Sequence, residues 1–348
     1  MAHLFADISS HGLGHLAQTA PVLNALRAAR PDLRLTIRSG LPRVRLSRRI
    51  AGTFDHICEA SDTGFVMHDA LHIDLPASAR RYRDFHTDWP HRVRREAHFI
   101  AQLAPDLVFT NVSYLPLAGA AAAGIPAVSM CSLNWADLFK HFFRREPWAP
   151  QVHRQILAAY SSANAFLLTT PGMPMPTLPN VREIGTVAAT AKLNRAEVAH
   201  RLRLPRGRRW VLVALGGFDF PLPVEKWDRH HDIRWLSPHQ ALSRNLGIFN
   251  DLLAASDAVI TKPGYGTFVE AAVHGVPVLY LRRPDWPEQE YLIDWQRIHT
   301  RAAEISLDQV QNSDPRPTLE ALWAMPAPRR PEPTGVAQAV KTLLDLLR

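Results

Sequence analysis

Short apolar runs alternate along the chain with stretches of helical period. Residues 4–8, 33–37, 107–110 and 127–130 read as strands of a first series, and 210–215, 258–261 and 277–281 as strands of a second. After the first strand, Leu16, Ala20, Leu23 and Leu26 recur at helical spacing. An alanine-rich helix is expected between 107–110 and 127–130, and another over about 267–274, closed by Gly275 at a position that favours left-handed backbone. Such alternation of strand and helix predicts an α/β protein with parallel, doubly wound sheets. The proline-rich stretch 171–179 is the best linker. Domains are accordingly expected at 1–178 and 179–330. A last segment, 331–348, carries an amphipathic helix over 336–347 that is expected to pack back on the first domain.

Composition sharpens this. At roughly 150 residues per domain, 348 residues fit two domains. Apolar residues make up 47% and charged residues 21%, as in ordinary globular proteins. No apolar run approaches the ~20 residues that span a bilayer, and the start has neither a basic region nor a long apolar one, so a cytoplasmic protein is expected. Cys58 and Cys131 are the two cysteines, which excludes a disulfide framework and a cysteine-rich zinc site. The net charge is +8, with arginines bunched at 43–49, 80–83 and 92–95. Zinc-finger, RRM and KH patterns are absent, so no nucleic-acid partner is expected. Residues 43–49, with Leu46, Ile50 and Phe54 beside them, form a candidate patch for weak membrane-surface association.

Five segments carry candidate chemistry. His11-Gly12-Leu13-Gly14-His15 lies between strand and helix, where glycines allow close approach of a ligand and the helix start offers N–H groups to an anion. It lacks the dinucleotide fingerprint, and either histidine can serve as a general base or simply bond the turn. Lys262-Pro263-Gly264-Tyr265-Gly266-Thr267 precedes Glu270. There the glycines and hydroxyl suit a diphosphate and the carboxylate a ribose diol, while Thr267-x-x-Glu270 equally fits a capping box. Asp285, Gln289 and Glu290, around Trp286, suit sugar hydroxyls or an ordinary loop. Gly216-Gly217 ends the strand over 210–215. Asn134-Trp135-Ala136-Asp137 offers Asp137 as a base or as a helix cap. Asn111-Val112-Ser113 matches a glycosylation sequon, given no weight here, and His230-His231-Asp232 lacks matching metal-ligand spacing elsewhere.

In this order the segments resemble the GT-B glycosyltransferases, particularly the branch around the N-acetylglucosaminyl transferase of peptidoglycan synthesis. More closely they resemble the glycosyltransferase-like N-terminal region of plant L-arabinokinases. The supporting segments are His11-Gly-Leu-Gly-His15, Leu133-Asn-Trp-Ala-Asp137, Pro171-Gly-Met-Pro-Met-Pro176, Lys262-Pro-Gly-Tyr-Gly-Thr267 and Leu281-Arg-Arg-Pro-Asp285. The resemblance implies two Rossmann-like domains facing a central cleft, the second holding a nucleotide-sugar and the first an acceptor. It implies that Glu270 binds the ribose, that Gly264, Gly266 and Thr267 face the diphosphate with Gly12 and Gly14 nearby, and that Gln289 and Glu290 approach the sugar. Where the peptidoglycan enzyme has more glycine, this chain has Ser10-His11, and Gln289-Glu290 replaces its paired glutamines.

The leading expectation is hexosyl or N-acetylhexosaminyl transfer from a UDP-sugar, inverting and independent of metal or other cofactor. His11 or His15 is its base, and the acceptor is a small molecule, a glycan or a lipid-linked hydroxyl. No Asp-x-Asp motif occurs. A nucleotide-sugar hydrolase or epimerase, and a nucleotide-sugar-binding module with little catalysis, share the same turns and stay open at this point.

Overall fold

The computed structural model describes residues 2–204, 207–216, 222–227, 232–238 and 249–347. The chain forms two compact units. The first comprises Met1–His68, Ile73–Val187 and Thr334–Arg348, and the second Asp69–His72 and Ala188–Pro333. Gly217 and the His230-His231 pair lie outside the described residues.

The first unit is built on seven strands: β1 (His3–Ile8), β2 (Arg34–Arg38), β3 (Asp55–Ile57), β4 (Leu107–Asn111), β5 (Ala127–Cys131), β6 (Ala165–Thr169) and β7 (Val181–Ile184). They form one sheet in the order β3-β2-β1-β4-β5-β6-β7, every neighbouring pair parallel. β1, β4, β5 and β6 are buried throughout, which is why they read as near-continuous apolar runs rather than alternating ones. The second unit holds β8 (Arg209–Ala214), β9 (Ile233–Leu236), β10 (Ala258–Thr261), β11 (Val278–Tyr280) and β12 (Ala302–Glu304). Its described strands are ordered β12-β11-β10-β8-β9, again all parallel. Each sheet changes its direction of winding once, between β1 and β4 and between β8 and β10. Open parallel sheets bind ligands beyond the strand ends at such points.

The proline-rich stretch is not a linker. Met173, Met175 and Leu178 are buried, and the Met173 amide donates to the Ser132 carbonyl at 2.9 Å. The stretch then delivers β7 to the edge of the first sheet, so the passage between units falls at 187/188. The helix Gly335–Leu346 packs on the helix Leu13–Ala29 within the first unit. Leu46, Ile50 and Phe54, beside the arginines at 43–49, all face the core, and Val44 is the apolar side chain of that segment left outside. Among the described residues no helix is long and apolar enough to cross a membrane.

Where β1 and β2 pair, a buried ion cluster forms. Arg38, at the end of β2, donates to Asp7 Oδ2 at 2.6 Å and to both carboxylate oxygens of Glu96. The second Asp7 oxygen accepts from the Ser61 hydroxyl at 2.6 Å. The Arg38 guanidinium also lies about equally over the rings of Phe5 and Phe99, 5.2 and 5.1 Å from their centroids. Two carboxylates and one guanidinium are thus buried together, and removing the shared cation strands both acids. Arg38→Met is expected to cost about 3–5 kcal/mol, read as a lower urea midpoint at unchanged slope. An unchanged midpoint would show that the two acids tolerate its loss.

Candidate functional site

In the first unit the chemistry gathers where β1 and β4 part. β1 runs into Ser9, and the helix Leu13–Ala29 begins after Gly12, an N-cap in extended conformation with no side-chain cap. Side chains built at Gly12 or Gly14 would meet nothing within 4 Å, so this backbone borders open space. His15 lies in the first turn and is buried. Its Nδ1 is 2.9 Å from Asn111 Oδ1, at the end of β4. Asn111 Nδ2 donates to Gln18 Oε1 at 3.3 Å, and Gln18 Nε2 donates to the Ser132 hydroxyl at 3.1 Å. As placed, Asn111 presents its oxygen to the ring, and in this arrangement Nδ1 carries the hydrogen and the lone pair falls on Nε2.

His11 is less buried than His15. Its ring packs edge-on to Trp135, with centroids 5.1 Å apart, and Trp135 also meets the His15 ring at 5.8 Å. Gly64, with φ +52°, lies so close that a Cβ there would come 2.8 Å from the His11 ring, and both facts demand glycine. Next to it Asp62 is buried and accepts from the Trp135 indole at 2.9 Å. Burial pushes its carboxyl up to about 6, against the Ser9 hydroxyl and the indole, which favour the charged form. The hydroxyl of Ser9 in turn accepts from the His11 amide at 3.3 Å. Asp62 therefore holds both Trp135 and the histidine turn.

Asp137 sits elsewhere in role. Its amide donates to Asn134 Oδ1 at 2.8 Å, and its carboxylate accepts from Asn134 Nδ2 at 2.7 Å, closing the start of the helix Trp135–Phe143. The capping alternative describes it.

In the second unit the corresponding point lies between β8 and β10. Gly216 follows β8 with φ +96°, and a Cβ there would be 3.3 Å from Lys262 Cε. The Thr261 hydroxyl donates to the Ala214 carbonyl at 2.7 Å, tying the two strand ends together. Lys262 follows, then Gly264, the extended and side-chain-free N-cap of the helix Tyr265–His274. The helix starts earlier than Thr267, so Thr267 and Glu270 both lie inside it and no capping box forms. Gly266, Thr267 and Glu270 therefore ride on one short helix, with Tyr265 and Glu270 buried.

Lys262 is partly buried, and its ammonium is pulled down to about 7, first by burial and then by the Arg283 charge. Arg283 is itself buried and lowered to about 10 by burial, with Glu288 opposing. The loop after β11 does not follow the expected roles. Both ends of the Gln289 amide grip the Arg283 main chain, accepting from its N–H at 2.9 Å and donating to its carbonyl at 2.8 Å. Glu290 pairs with Arg282 at the surface, and Asp285 stands exposed at the loop tip with φ +48°. The acid turned inward is Glu288, which accepts from the Trp286 indole at 3.0 Å. Asn111, Gln18 and Asp62 were omitted by the sequence pattern, and within the candidate segment Arg282–Glu290 the charged side chains turned inward are Arg283 and Glu288. A polar residue closing an apolar parallel strand was the signal for Asn111.

No protein-family model matches the chain. An L-arabinokinase of Arabidopsis thaliana is 26% identical over 312 residues, 82% of this chain, and the chain spans only 28% of that enzyme's length. The glycosyltransferase of kitacinnamycin superposes with a TM-score of 0.59 at 16% identity, covering 99% of this chain and 94% of that one. Phytolacca americana UGT2, solved with UDP-2-fluoroglucose and pterostilbene, does so at 0.55 and 13%, with the same coverage. The chain thus has the GT-B architecture of glycosyltransferases, two Rossmann-like domains in one polypeptide.

Proposed function

We propose that this protein transfers a hexosyl or N-acetylhexosaminyl group from a UDP-sugar to an acceptor hydroxyl, with inversion and with His15 as general base. The carrying observation is the amide relay Ser132–Gln18–Asn111 behind His15, which directs a basic nitrogen away from its buried support. The His11 ring packs edge-on to Trp135 and lies against Gly64. In the reaction Nε2 takes the acceptor proton as the acceptor oxygen bonds to the anomeric carbon. The bond from that carbon to the diphosphate breaks on the opposite face, and its electron pair leaves with the diphosphate. Lys262, the Thr267 hydroxyl and the N–H groups that follow Gly264 supply positive potential to the leaving group. Glu270 holds the ribose.

A UDP donor and a small hydroxylated acceptor are supported by the ligands named for Phytolacca americana UGT2. The burial of Leu46, Ile50 and Phe54 favours such an acceptor over a lipid-linked one.

Three measurements test this reading. Among UDP, GDP, ADP and TDP compounds, the UDP set alone is expected to raise the thermal midpoint by several degrees. At 100 times Kd this reflects about 2.7 kcal/mol, and Glu270→Ala should abolish it. No response to any nucleotide would remove the transferase reading, and free sugar released without acceptor would make water the acceptor.

His15→Ala is expected to lower turnover roughly 10²- to 10⁴-fold while nucleotide affinity holds. Equal loss in His11→Ala with normal turnover in His15→Ala would reassign the base. In Asn111→Asp a carboxylate replaces the neutral amide beside Nδ1 and favours the imidazolium. The acid limb of the pH–rate profile should then move to higher pH, and an unmoved limb would separate His15 from the proton transfer.

A further inference from the structure

We infer that Arg283 is a second diphosphate-binding cation beside Lys262, and that diphosphate binding draws a proton onto Lys262. The inference rests on the donor-site reading above and adds to it a residue and a linkage.

Arg283 is built into place from three sides. Gln289 clamps its main chain at both the N–H and the carbonyl. The guanidinium lies over the Trp286 ring, 3.7 Å from the centroid. Trp286 is fixed in turn by its indole bond to Glu288. Stacking uses the face of a guanidinium, while its N–H donors lie in the plane, the direction in which phosphate oxygens are bound. A side chain so immobilised loses little freedom on meeting a ligand, which suits it to recognition.

Lys262 stands at the winding change of the second sheet, its Cε against Gly216. Among the described residues, the charged groups that act on it are Arg283, Glu288 and Asp69. Asp69 is already committed within its own loop, accepting from the amides of Leu71 at 2.6 Å and His72 at 2.9 Å and from the His72 ring at 2.8 Å. Glu288 is shared, acting on both Lys262 and Arg283. At Lys262 the repulsion from Arg283 outweighs the attraction of either acid, and the ammonium sits at about 7. Two cations held in one another's field are an unfavourable pair before an anion binds. The arrangement becomes favourable when an anion of two or more charges arrives between strand end and loop. A diphosphate has that charge, whereas a neutral or singly charged ligand does not. Burial and the Arg283 charge hold the Lys262 ammonium low, so an incoming diphosphate raises its proton affinity and takes up part of a proton from solvent.

Calorimetric titration with UDP at pH 8, in Tris and in HEPES, reads this directly. Their different ionisation enthalpies convert proton uptake into a difference in observed heat, and UDP itself is fully ionised at that pH. Net uptake is expected in the wild type. It should vanish in Lys262→Arg, which retains the charge, while UDP binding persists. Arg283→Gln should weaken UDP roughly 10- to 100-fold with a normal thermal midpoint in the absence of nucleotide. Arg283→Lys, which keeps a charge but loses the planar fork, serves as the second variant and should weaken UDP less. UDP binding without proton uptake, or uptake unchanged in Lys262→Arg, overturns the linkage and leaves the donor site standing. UDP affinity within twofold of wild type in both Arg283 variants overturns the second cation. Failure of UDP to bind the wild type at all overturns the donor site and this inference together.

Discussion

Everything chemical in this chain depends on where its two parallel sheets reverse their winding. At such a point adjacent strands send their crossovers to opposite faces, and a crevice opens beyond the strand ends that no side chain of the sheet has to fill. In the first unit the reversal separates β1 from β4 and puts His15 beside Asn111. In the second it separates β8 from β10 and puts Gly216 beside Lys262. Both helices that open there start from an extended glycine without a side-chain cap. A serine or aspartate at either cap would satisfy the helix's own N–H groups. Glycine leaves them to solvent or to a ligand.

Much of this was legible in the sequence, because a strand buried on both faces writes itself as an apolar run and a tight turn writes itself as glycine. The strands around 4–8, 107–110, 210–215 and 258–261 and the turns at Gly12, Gly14, Gly216 and Gly264 are found within a residue or two of their expected places. Prolines were less reliable guides. The stretch 171–179 carries buried methionines between its prolines, and a segment that buries Met173 and Met175 is part of a core whatever its proline content.

Side-chain roles were harder to read, since spacing shows which residues are neighbours but not which way they face. Asp137 and Asn134 satisfy each other, and Gln289 turns onto a main chain. One residue earlier in the same turn, Glu288 faces inward. The shift follows from where the helix Glu288–His299 begins, and no motif states that register. Asn111 looked like part of a sequon because its partner, His15, is 96 positions away. Long-range pairs of this kind are invisible to periodicity.

The two reversal points also differ in charge, in the way that the proposed reaction requires. Behind His15 the support is neutral, an amide relay that orients the ring without holding a proton on it. The buried carboxyl of the neighbourhood, Asp62, accepts from the Trp135 indole. A carboxylate in place of Asn111 would stabilise the imidazolium but would also keep more of the ring protonated before the acceptor arrives. A neutral partner leaves the base available at lower pH and gives up some stabilisation once it has taken its proton. At Lys262 the balance is reversed, because the group to be stabilised there is an anion that gains charge as the glycosidic bond breaks. Cations already held in place need no reorganisation at that moment. Their mutual repulsion before the nucleotide binds is the counterpart of their attraction for the leaving group, and the clamp of Gln289 on the Arg283 main chain keeps that repulsion from being relieved by movement.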